Sequence, residues 1–380
     1  MAQRRSDDDD THGDRGVNTA RGLDAPAAGS LLADLRVVDL SMWQPGHYAT
    51  QLLADLGADV VKVEPPGGDR MRKLPDRFVN FNGRKRTVVL DLRSEPDLAR
   101  LKDLVRDSDV VVEGYRPGVA DRLGVGFESL RAENPSLVYC SISGYGQSGP
   151  LSAAPGHDWN YQAYAGVMSG DEPGVSPRPA RMLVADHGGG LAAAFGILAA
   201  VLCARRTGVG EHVDVSMADL VASWVAPMEA VDPRRAAAAP RIEAPAHGVF
   251  AVADGYIVLG IFSEDGMWDD LCRELGFESH VGLGLHQRTE SAAQLRAALA
   301  ERLAGFQRDA VVSALGSRLP VSPVLSREEM LEHPHFRARG TVVARGPDGM
   351  RALGHPLRFA VPPALPPGPA PNLPERNDRA

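Results

Sequence analysis

Two short segments of this 380-residue chain set groups able to carry protons beside glycines. Gly156-His157-Asp158-Trp159-Asn160-Tyr161 places an imidazole behind a glycine, and Val184-Ala185-Asp186-His187-Gly188-Gly189-Gly190 places a carboxyl ahead of three. Imidazole and carboxyl are the side chains most used for general acid and base work. Each has a plainer reading too: a histidine after a loop glycine often caps or sits on the surface, and Asp186 could cap a helix opened by the glycines.

A third group is cationic. Arg70, Arg72, Lys73, Arg77, Arg84, Lys85 and Arg86 are concentrated in one segment of a chain whose net charge is -8. Guanidinium and ammonium groups suit phosphates and carboxylates, although a solvated charged loop explains such a run equally well. The acidic balance argues against a nucleic-acid partner, since a phosphate backbone needs a basic footprint. Cys140, Cys203 and Cys272 stand far apart, without metal-ligand spacing, so no metal is expected and a reduced cytoplasm fits best.

Elements must bring these groups together. Hydrophobic and charged fractions of 44% and 24% are those of a globular chain. Residues 1–29, with the run Asp7 to Asp10 and no apolar core, read as a disordered leader. From Leu35 the pattern alternates: Leu35–Leu40 as strand, Gly46–Leu56 as helix, Asp59–Glu64 as strand. Thr87–Leu92, helical Glu95–Arg106, Asp109–Glu113 and Leu137–Ser143 continue it. This predicts an α/β fold, a Rossmann-like parallel sheet with helices on both faces, over residues 30–230. The first turn, Ser41 to His47, lacks the G-x-G-x-x-G that lets a backbone approach a pyrophosphate, so a nicotinamide cofactor is rejected although Glu64 stands where a ribose-binding acid would.

Residues 231–247 read as a linker. Val249–Ala253 and Tyr256–Gly260 around Asp254-Gly255 predict a hairpin opening a smaller α+β domain over 248–325. Residues 326–380 are expected to return to the large domain and end in a Pro-rich tail. The apolar Leu191–Ala204 spans about four turns, short of the ~20 residues a bilayer needs, so a buried helix and no membrane are expected.

An ordered set of motifs closely resembles the family III CoA-transferases (CaiB/BaiF). The set comprises Leu32 to Ser41 with Ala49 to Glu64, Val111 to Val119 with Arg122-Leu123-Gly124, Ser143 to Pro150, Gly210 to Met217, Val321 to Val324 and His333 to Phe336. The resemblance covers roughly residues 31–340. It implies a CoA thioester as substrate with no prosthetic group, a large and a small domain, and two chains interlocked as a homodimer. By position in the motifs it points to Arg122 for CoA, with Arg116 and Tyr115 close by; Arg70, Arg72, Lys73, Arg84 and Lys85 are further candidates to face the nucleotide.

The two proton-carrying segments resemble the α-methylacyl-CoA racemase branch, in which the first supplies a catalytic histidine and the second its aspartate. Inverting the α-carbon of an acyl thioester takes a proton from one face and returns one to the other. A single base tends to return the proton to the face it left, whereas His157 and Asp186 on opposite sides of a planar enolate can exchange roles. Asp186 would then hold its proton near neutral pH, which calls for a desolvated site. The enolate oxygen needs fixed donors: the resemblance points to the backbone N–H of Asp158, and Gly188 to Gly190 could let a substrate come close to a helix start. It also suggests a glutamate behind the histidine, Glu264 ahead of Asp265. His187 departs from the pattern and reads as a polar residue packing beside the site.

Two other functions compete. A family III CoA-transferase would use the carboxylate at Asp186 as a nucleophile and has no need of His157. A non-catalytic CoA-binding protein would need neither.

Overall fold

The computed structural model describes residues 30–168, 176–225, 243–345, 350–360 and 368–374. The expected leader and most of the expected linker lie outside these residues. The described residues form two compact units, one reaching to Val225 and resuming at Ala352, the other ending at Arg351. The return to the first unit thus comes at Ala352 rather than at residue 326. Arg308 holds the intervening helical segment in the second unit by pairing with Glu329 at 2.7 Å.

In the first unit β1 (Arg36–Asp39), α1 (Gln44–Asp55), β2 (Asp59–Glu64), α2 (Pro75–Phe81), β3 (Arg86–Val89) and α3 (Glu95–Arg106) are followed by β4 (Val110–Glu113). Next come α4 (Val119–Arg122), α5 (Phe127–Arg131), β5 (Val138–Ser143), α6 (Asp158–Tyr164), α7 (Val184–Thr207), β6 (His212–Ser216) and α8 (Met217–Val225). The six strands form one sheet in the order β3-β2-β1-β4-β5-β6. Every pair is parallel. A parallel sheet is covered on both faces, and the strands accordingly read as runs of valine rather than alternation. Successive side chains point to opposite faces: Val37, Val60, Val110, Val112 and Ile142 pack with α1 and α7, while Val38, Val63 and Val111 pack with Leu101, Val105 and Leu130.

The chain runs outward from β1 to β3 and then crosses back to β4 on the other side of β1. Strand direction from this switch opens a crevice at the carboxyl ends of β1 and β4, the usual ligand position in such sheets.

Helix α7 is longer than the apolar stretch suggested. Its 24 residues are long and apolar enough, by length and composition, to cross a membrane, and half of its apolar window is buried inside the unit. The three glycines near its start explain that burial. A methyl group on Gly188 would stand 2.5 Å from the Trp224 ring, on Gly189 2.6 Å from Met217 Cγ, and on Gly190 2.6 Å from the Pro45 carbonyl oxygen. They let α7 close on α1 and α8, so the expectation that they admit substrate is corrected to one of helix packing.

In the second unit β7 (His247–Val252) and β8 (Gly255–Gly260) form the expected hairpin, with β9 (Val321–Pro323) antiparallel to β8. Helices α9 (Asp265–Glu274), α10 (Leu285–Glu290), α11 (Ala292–Leu303) and α12 (Arg308–Leu315) accompany this sheet. Trp268, Leu271, Leu299 and Leu303 make its core with Ile257 and Leu259.

Candidate active site

A cavity of about 640 Å³ lies at the crevice of the first unit. Its walls come from the β1–α1 turn (Ser41 to Gly46), from Met71, Leu74 and Arg77 after β2, from Gly114 to Pro117 after β4, and from the end of β5. His157, Asp158 and Asp186 are also in the lining, with Tyr161 and Met217. The sheet therefore brings the two proton-carrying segments to one cavity.

Their positions follow from local packing. His157 is the residue before α6, with extended backbone, and its N–H donates to Asn160 Oδ1 at 3.0 Å. Its imidazole is exposed and has no hydrogen bond among the described residues. Tyr161 anchors this turn: its hydroxyl donates to the Gly156 carbonyl at 2.6 Å. Its ring fills the space that a side chain on Gly144 or Gly156 would need, where an added Cβ would stand 2.4 and 2.6 Å away.

Asp158 is 3% exposed. Its Oδ2 accepts from the Ala185 N–H at 2.7 Å and the Asp186 N–H at 3.0 Å, and Oδ1 accepts from the Gln162 amide. The carboxylate thus caps the first turn of α7 and fixes the backbone of Asp186. As the first residue of α6, Asp158 has an N–H without an intrahelical acceptor. Burial, followed by the Asp158 carboxylate, pushes the Asp186 carboxyl up to about 7, against an opposing influence of Arg77.

His187 packs beside the site. Its Nδ1 lies 2.8 Å from the Leu183 carbonyl oxygen and its Nε2 3.1 Å from the Gln44 side-chain amide. These contacts hold the ring against the edge of Tyr48.

The expected CoA ligands separate. Tyr115 and Arg116 line the cavity. Arg122 is exposed on α4, one helical segment beyond that turn, while Arg70 and Lys73 are exposed on a short turn after β2. Arg84 has left-handed backbone and meets the tail, its N–H donating to the Pro369 carbonyl at 3.0 Å.

Lys85 and Arg72 correct the expectation. Lys85 is fully buried and pairs with Asp39 at 3.1 Å, also donating to Thr50 at 2.7 Å. Burial, offset in part by Asp39, lowers its ammonium to about 8. Arg72 grips Glu64 through two bonds of 2.6 Å and lies over the Phe78 ring. An acid on an interior strand requires a cation nearby, so these two are structural rather than nucleotide-facing, and Glu64 is already occupied.

His47 is likewise buried, under the β1–α1 turn. Lys62 Nζ stands 2.7 Å from His47 Nε2, 2.8 Å from the Ser41 carbonyl and 2.9 Å from Asp69. Burial and then the Lys62 charge lower the imidazole to about 4. This group ties down the turn that forms one wall of the cavity.

Glu264 belongs to the second unit, exposed at the start of α9, where its carboxylate accepts from the Phe262 N–H at 2.9 Å. That bond leads the backbone contacts that lower its carboxyl below the usual range. Its neighbour Asp265 pairs with the buried Arg288 at 2.7 Å.

Arg77 is the cavity residue that sequence reasoning left unassigned within its cationic cluster. The signal that marks it, Leu74 just before α2 and Arg77 in its first turn both lining the crevice, exists only once the fold is known.

The family model for CoA-transferase family III matches residues 32–377. The chain belongs to this family. Its members act on CoA thioesters and include both transferases and racemases. Succinate–glutarate CoA-transferase of Agrobacterium fabrum is 33% identical, over 83% of this chain and 86% of the relative. Human alpha-methylacyl-CoA racemase is also 33% identical, over 87% of each. A solved CaiB/BaiF family protein from Brucella suis superimposes with a TM-score of 0.80 at 30% identity, covering 89% of this chain and 95% of the other. For this family III chain the α/β fold with its large parallel sheet is therefore that of known relatives.

Proposed function

We propose that this family III enzyme is an acyl-CoA racemase or epimerase that inverts the α-carbon of a 2-methyl-branched thioester. The observation that carries the reading is that His157 and Asp186 line one cavity, with the Asp186 carboxyl raised to about 7. A carboxyl of that strength can both give and take a proton at neutral pH, as inversion through an enolate requires. In one direction His157 removes the α-proton and Asp186 supplies one to the opposite face; in the other the roles reverse. The N–H of Asp158 stabilises the enolate oxygen. The α-proton is conserved in number, and no co-reactant is consumed.

Transfer of CoA between carboxylic acids is the second reading. It is supported by the 33% identity to succinate–glutarate CoA-transferase, equal to that of the racemase relative. In it the Asp186 carboxylate attacks the thioester carbonyl and expels CoA thiolate to give a mixed anhydride. The thiolate attacks the aspartyl carbonyl, releasing the donor acid and leaving an aspartyl-CoA thioester, and the acceptor carboxylate then runs the two steps in reverse to form its own thioester and free Asp186.

Incubation with a single-enantiomer 2-methylacyl-CoA in deuterated water separates the two. Deuterium at the α-carbon with loss of optical purity, and no acceptor acid present, supports the racemase. CoA passing to a free carboxylate without α-exchange overturns it.

The homodimer is proposed on the same resemblance. Leu191, Phe195 and Leu202 of α7, spaced to share a helix face, are 53%, 76% and 72% exposed and offer an apolar stripe for a second copy. Sedimentation at a mass of one chain would remove this part of the reading.

A further inference from the structure

The cavity is lined by two arginines, and the one on α2 has no ion-pair partner among the described residues. Arg72 is committed to Glu64 and Arg86 to Asp59, but Arg77, between them in sequence, has neither ion pair nor hydrogen bond among the described residues. Arg77 is exposed, and with Met71 and Leu74 it lines the cavity that Asp186 also lines. An unpaired guanidinium facing a cavity is a planar double donor for a carboxylate or phosphate oxygen pair.

We propose that Arg77 binds a carboxylate on the acyl group, so that the enzyme selects CoA thioesters of carboxyl-bearing acids over neutral ones. Position decides between the two anions. The pantetheine arm separates a thioester from the CoA phosphates, whereas Arg77 lines the same cavity as His157 and Asp186. Arg77 therefore faces the reacting end of the substrate. Arg116, on the turn after β4, also lines the cavity and stays with the CoA assignment. The inference rests on the acyl-CoA reading with Asp186 at the reacting carbon.

The test is calorimetric binding of 2-methylglutaryl-CoA, of its monomethyl ester and of free CoA to the wild-type enzyme, Arg77→Gln and Arg77→Lys. A charge-assisted bidentate contact predicts that the wild type holds the acid about 10–100-fold tighter than the ester. In Arg77→Gln this ratio collapses to near one, and Arg77→Lys retains part of it. A wild type that binds the ester as tightly, or a ratio unchanged in Arg77→Gln, overturns the proposal. Equal weakening of acid, ester and free CoA in Arg77→Gln also overturns it, by assigning Arg77 to a CoA phosphate. Solvent deuterium incorporation and CoA transfer by the wild type are followed on the same two thioesters. Neither activity, with the acid-over-ester preference intact, sinks the functional reading and leaves the carboxylate site standing; activity on both without preference does the reverse.

Discussion

The carboxylate of Asp158 accepts the backbone N–H of Asp186 at 3.0 Å, so the residue following the cavity histidine caps the helix that carries the cavity aspartate. One side chain thereby fixes the spacing between two segments far apart in sequence. Its charge also helps keep Asp186 protonated. The contact that fixes its position thus adds to the burial that raises its proton affinity.

Asp158→Ala removes both N–H acceptors at the start of α7. The loss of a helix cap predicts destabilisation of about 1–2 kcal/mol, read as a lower denaturation midpoint. Asp158→Asn keeps an acceptor oxygen and should recover most of that loss. Equal stability of wild type and Asp158→Ala would show that the cap is dispensable.

The active form of a two-base pair carries one proton across both sites, so rate falls on either side of two apparent values that belong to the pair. Asp186, held near 7, sets one of those limbs. Asp158→Asn removes a negative neighbour, favours ionised Asp186 and should move that limb to lower pH. Arg77→Gln removes a positive neighbour and should move it to higher pH. Profiles of kcat/KM against pH for the three proteins check both signs; shifts in the same direction would refute this account.

His157→Ala should reduce inversion by at least about 100-fold, the range of a lost general acid or base. CoA transfer to an acceptor acid, should the enzyme perform it, would survive the change. Asp186→Asn should abolish either activity. Inversion that persists in His157→Ala would leave Asp186 acting without this partner.

Gly190→Ala would force a methyl group against the Pro45 carbonyl, which belongs to the backbone of α1 and has little freedom to yield. Overpacking of this kind costs about 1–3 kcal/mol. Thermal melts should show the loss, together with weakened activity because Pro45 lines the cavity.

Lys85→Met leaves Asp39 buried without its closest cation, and breaking such a pair costs about 3–5 kcal/mol. Stability should fall while the affinity of any folded fraction for CoA is kept. Arg116→Ala should do the opposite, weakening CoA binding with little effect on the melt. Reversal of this pattern would restore Lys85 to the nucleotide site.

The parallel sheet was legible in the sequence because a strand covered on both faces is apolar along most of its length, as Val110 to Val112 are and as Val60, Val61 and Val63 are around Lys62. The hairpin at Asp254-Gly255 and the motifs of the CoA family were equally local. His157 and Asp186 could be named from their surrounding motifs, since those motifs are contiguous. Partnership was not legible. Lys85, Arg72 and Arg77 are cations in one short segment and nothing in their order distinguishes them. Folding puts an unpaired acid beside the first two and a cavity beside the third. The glycines of α7 likewise signal close approach without saying of what; the answer, Pro45, Met217 and Trp224, comes from α1 and α8. Sequence determined which residue types were present and the elements that carry them. Tertiary structure decided which charges neutralise one another in the interior and which remain for a ligand, because burial, and not composition, sets the cost of leaving a charge unpaired.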